Sequence, residues 1–156
     1  DKEDLFRYLI QESMDALLLA FEEILRRSGG DVFAALPEMY DYLQAHREWD
    51  RSLGGMGMMA AIANCNGEDR SGGALKFVDT ELVLKRMEAC VNPDLLDLRQ
   101  PEDLDAILRM LMALLGPVLY SGLQPEPEPE GRAKMEQALK ILQRGMGAKS
   151  MPGQQQ

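Results

Sequence analysis

A chain of 156 residues with 46 % apolar and 28 % charged side chains has the size and balance of one globular domain, which excludes a disordered or fibrous protein. Its formal charge of −9 argues against general affinity for nucleic acid, because phosphate binding needs clustered Lys and Arg. A single histidine, His46, excludes a His-rich zinc site and the paired Glu-x-x-His arrangement of helical di-iron proteins.

The apolar residues are chiefly Leu, Met and Ala, with aromatics at 6 % and few β-branched residues, so the composition predicts an all-α protein. Over 3–27, Leu5, Phe6, Leu9, Ile10, Met14, Leu17, Leu18, Phe21, Ile24 and Leu25 recur at the helical period. Arg7, Gln11, Asp15, Glu22 and Arg26 are expected on the far side, and Ser28-Gly29-Gly30 stops the helix. Asp31 caps a short turn, and Pro37 is expected in the first turn of a second helix running through Met39, Tyr40 and Leu43 toward Trp49.

The run from Leu53 to Ala63 is small, apolar and almost uncharged, and reads as either a tightly packed buried helix or a hinge, the helix being favoured. Residues 64–73 form a loop rich in Asn, Asp, Ser and Gly, and 74–78 is the only plausible strand, which cannot make a sheet alone. Asp79 or Thr80 caps a helix through Leu82, Val83, Met87 and Cys90 that ends near Asn92, since Pro93 disfavours helical geometry before it. Pro101, Glu102 and Asp103 open the next helix, through Leu104, Ile107, Leu108, Leu111, Leu114, Leu115 and Val118, with a break expected at Gly116-Pro117. The alternating Pro and Glu of 125–130 form a stiff, extended spacer. Beyond it, Met135, Ala138, Leu139, Leu142 and Met146 share one face of a short helix whose other positions carry Arg132, Lys134, Lys140 and Arg144.

Charge follows the same division. Residues 1–131 hold 12 basic and 25 acidic side chains, whereas 132–156 hold 5 basic and 1 acidic. The expected organisation is therefore an acidic helical domain over 1–124, a Pro/Glu linker over 125–131, and a basic amphipathic helix with a frayed tail over 132–156.

The motifs of common chemistries are missing. Neither Gly54-Gly55-Met56-Gly57 nor Gly72-Gly73 is followed by the Lys-Ser/Thr of a phosphate-binding loop. Counting from Asn64 as a calcium loop puts Asp69 where glycine belongs and Leu75 where the bidentate Glu should be. No Gly-x-Ser-x-Gly turn presents a serine to the one imidazole, and pairs such as Glu22/Glu23, Glu68/Asp69 and Glu102/Asp103 read as solvated faces. Cys65 and Cys90 are too few for a disulfide framework, so reduced thiols in a cytoplasmic protein are expected, with removal of an earlier targeting segment left open.

These readings converge on a single-domain bundle of about five helices with a tethered C-terminal amphipathic helix, without catalytic, cofactor or metal residues. The expected function is a non-enzymatic protein-protein interaction module, such as an adaptor, assembly factor or chaperone-like subunit. Eleven Met suit either a plastic core or an adaptable binding groove, and the C-terminal basic helix can dock on the chain's own acidic body, on a partner protein or on an anionic membrane. Met56, Met58, Met59, Met135, Leu139, Leu142 and Met146 are the expected partner-binding residues. The alternatives are a helical small-ligand binder or carboxylate-based enzyme, and a structural subunit of a larger complex. The partner is expected to be protein; nucleic acid and membrane are disfavoured, and self-association is left open.

Overall fold

A computed structural model describes residues 1–52, 80–115 and 130–149, and this part of the chain is all-α. In chain order it contains α1 (Lys2–Arg27), α2 (Val32–Ser52), α3 (Thr80–Glu88), a 3-10 turn (Pro93–Leu95), α4 (Asp103–Ala113) and α5 (Gly131–Met146). The expected buried helix at 53–63, the loop at 64–73, the strand at 74–78, the break at Gly116-Pro117 and the spacer at 125–129 lie outside the described residues.

Asp1 starts α1 with a reciprocal cap, its side chain accepting the Asp4 N–H while the Asp4 side chain reaches back to the cap backbone. At the other end Gly29 and Gly30 take φ of +70° and +78°, the left-handed conformation that turns the chain into α2. Gly30 has a second constraint. A Cβ there would come within 2.5 Å of the Asn92 backbone nitrogen, whose N–H donates to the Gly30 carbonyl at 2.9 Å.

The sequence places Pro37 in the first turn of α2, but the helix begins at Val32. Asp31 opens it: its carboxylate accepts the Phe33 and Ala34 N–H groups at 3.0 and 3.3 Å, two of the four donors a helix start leaves without intrahelical partners. Pro37 falls in the second turn, where only the bond back to the Phe33 carbonyl is forfeited. The buried row Val32, Phe33, Leu36, Met39 and Tyr40 runs across the proline at helical spacing, and its burial outweighs that loss. Similarly, α4 starts at Asp103 instead of Pro101, because the Asp103 carboxylate accepts the Arg99 and Gln100 N–H groups, each at 2.9 Å, and closes the preceding turn.

One apolar core joins all five helices: Leu18, Phe21, Ile24 and Leu25 of α1, the α2 row, Leu84 and Met87 of α3, Ile107, Leu108 and Leu111 of α4, and Met135 and Leu139 of α5. Phe21 meets Tyr42 edge to face, with ring centroids 6.3 Å apart. Ion pairs tie the helices at the rim: Arg27 to Glu38 between α1 and α2, Arg109 to Glu81 between α4 and α3, and Arg132 to Asp41 between α5 and α2. The end of α5 is held by backbone as well. Asp97 N–H donates to the Met146 carbonyl at 2.8 Å and Ala148 N–H to the Leu95 carbonyl at 3.0 Å, around the Leu96 and Gly147 bridge.

Candidate interaction surface

Each residue of an α-helix advances about 100°, so residues spaced four and three apart share a face. On α1 this rule generates two apolar faces. The first holds Leu17, Leu18, Phe21, Ile24 and Leu25 and enters the core. The second holds Leu5, Leu9, Ala16 and Leu19, half a helical turn away, and is solvent-exposed. Leu5 is 60 % exposed and Leu19 58 %, values far above those of ordinary half-buried rim residues. Tyr8 flanks this face and donates its hydroxyl proton to Glu12 Oε1 at 3.0 Å, which fixes the carboxylate in the middle of the row. The acceptor raises the Tyr8 phenol above its ordinary pKa, because the neutral form donates the bond.

The sequence-based expectation for α1 is thus corrected in two places. Leu5 and Leu9, assigned to the buried stripe, are exposed, and Glu22, assigned to the far side, is 8 % exposed. Glu22 is tolerated there because two cations converge on it: Arg86 of α3 lies 2.6 Å from Oε1 and Arg26 lies 3.4 Å from Oε2. The Arg86 contact is a close ion pair without the alignment of a hydrogen bond, so Oε1 has charge compensation but no directed donor. Leu19 and Tyr8 belong to no stripe in the sequence reading. The signal that could have found them is the spacing Leu5, Leu9, Glu12, Ala16, Leu19, a second helical period offset from the first.

Of the residues expected to bind a partner, only those of α5 are among the described residues. Met56, Met58 and Met59 lie outside the described residues. Met135 and Leu139 are each 5 % exposed and sit in the common core, with Leu142 and Met146 packed against it. The apolar face of α5 is therefore occupied by the chain itself, and the helix turns outward Lys134, Gln137, Lys140, Ile141 and Arg144. An open depression of about 410 Å³ beside it is lined by the long side chains of Gln137, Lys140, Gln143 and Arg144.

His46 stacks on Tyr42 with centroids 4.0 Å apart and its Nδ1–H donates to the Tyr42 carbonyl at 2.8 Å, so the ring is anchored to its own helix. Cys90 is a free, half-buried thiol. Among the described residues, no three His, Cys, Asp or Glu side chains are grouped to hold a metal ion, and no helix is long and apolar enough to cross a membrane. Comparison with protein-family models, curated proteins and solved structures finds no match to this chain.

Proposed function

We propose that this chain is a non-enzymatic protein-interaction module of the adaptor, assembly-factor or chaperone-like kind. The observation that carries this reading is the exposed row on α1. Single exposed leucines are normal on any surface, but several large apolar residues on one face of one helix are the signature of an interaction site. The other exposed large apolar residues, Leu82, Leu95, Met110 and Ile141, are spread one to an element over α3, the 3-10 turn, α4 and α5. Among the described residues, only α1 concentrates them.

The proposed surface is thus on α1 and no longer on the apolar face of α5, which is buried. Deleting 125–156 would remove Met135 and Leu139 from the core, so lost association after truncation would report unfolding. The full chain as cross-linking bait in native lysate, compared with a Leu5→Ser/Leu19→Ser variant, avoids this. Reproducible recovery of a defined protein by the wild type is expected. Repeated recovery of nothing, together with a rise in Tm on adding one compound of a metabolite panel, would replace the reading with a ligand-binding one.

A further inference from the structure

Leu5, Leu9, Glu12, Ala16 and Leu19 follow one another at intervals of four, three, four and three, the spacing of a heptad seam. The row runs along about 21 Å of helix at 1.5 Å per residue, enough to receive two turns or more of a second helix laid alongside. Ala16 lets a neighbouring backbone approach closely, and Leu5, Leu9 and Leu19 supply the apolar contacts. Glu12 breaks the seam at its centre. A carboxylate enclosed between helices is costly unless a cation meets it, so it selects what can lie there.

Resting on the interaction-module reading, we infer that this face of α1 receives a basic amphipathic helix of a partner protein, with a Lys or Arg of that helix set against Glu12. The surrounding charge points the same way. Residues 1–19 carry five acidic and two basic side chains, so a second copy of α1 would bring like charges together, whereas a cationic helix is attracted. The chain's own basic helix is not the occupant, because the apolar face of α5 is buried in the core.

The test uses the full chain and two fluorescent three-heptad synthetic helices. Both have Leu at the seam positions; one carries Lys at the central seam position and Lys or Arg on the flanks, the other Glu in all those places. Fluorescence anisotropy should show saturable binding of the basic helix with Kd on the order of 10 μM, weakening as salt rises from about 0.05 to about 0.5 M, and none of the acidic one. Leu5→Ser/Leu19→Ser should weaken binding about tenfold or more with helicity and Tm unchanged, since both side chains are exposed. Glu12→Lys should transfer the preference to the acidic helix. The inference is overturned if the basic helix does not bind, or binds the double variant as tightly as the wild type. It is equally overturned if the wild type sediments as a dimer that the double variant dissolves, because the face then takes a second copy. A lysate partner recovered equally by wild type and double variant would keep the interaction-module reading while removing α1 as its surface.

Discussion

Leu139→Ala is the most direct measure of whether α5 is a structural member of the fold. The side chain is 5 % exposed among core residues of the other helices, so the substitution removes three buried carbon groups and leaves a void. At about 0.8 kcal/mol per buried methylene the transfer loss alone is about 2.4 kcal/mol, and the cavity brings the expected cost to about 2–5 kcal/mol. With an m-value of about 2 kcal/mol per M, the urea midpoint should fall by about 1–2.5 M. Ile141→Ala, two residues along the same helix but 53 % exposed, should change the stability by no more than about 0.5 kcal/mol. The assay is urea denaturation of both variants followed by far-UV circular dichroism. Equal midpoints for Leu139→Ala and the wild type would refute the docking of α5. If the alanine variant fails to fold, Leu139→Met should lose less than about 1.5 kcal/mol, because volume is nearly conserved.

Glu22→Ala should cost about 1–3 kcal/mol by stranding Arg86, and Arg86→Ala should cost less in the Glu22→Ala background than alone; additive losses in a double-mutant cycle would deny the pairing. Gly29→Ala should lower stability by about 1–2 kcal/mol for its left-handed backbone, and Gly30→Ala by clearly more, since its new Cβ would also collide with Asn92. Equal thermal shifts for the two glycines would contradict that packing. Asp103 is held below its ordinary pKa by the backbone N–H groups of Arg99 and Gln100, so its contribution is present above the unfolded value of 3.8 and is lost as pH falls through the folded one. Urea midpoints of wild type and Asp103→Asn should therefore differ at neutral pH and converge below about pH 4. A gap that stays constant across that range would show that the carboxylate's charge is irrelevant to the cap.

Helix existence was readable where one period dominates. The core stretch of α1, the acidic start of α4 and the apolar face of α5 all follow from spacing and caps. What spacing could not supply was the choice between faces. Leu5 and Leu9 recur at the same helical period as Leu17 and Leu18 but lie on the opposite side of α1, and which side is buried is decided by packing against distant segments. Glu22 was misplaced for a related reason: its burial depends on Arg86, 64 residues away, and nothing local announces a cross-helix pair. Pro37 shows local chemistry yielding to tertiary packing, as the buried row on both sides holds the helix through a residue that ordinarily starts or stops one. For the interaction surface, the Met and Leu residues of α5 had the right composition for a partner face but an internal partner took them.

The Arg132 and Asp41 pair spans 91 positions, and α5 is the last described element to join the core. During synthesis at about 5–20 residues per second, α2 therefore waits about 5–20 s for its α5 neighbour to be made. Through that interval the core surface that α5 covers in the finished fold lacks its partner. The order of elements along the chain thus sets a window of aggregation risk, and a chaperone acting on this protein would be needed most before residue 139 emerges.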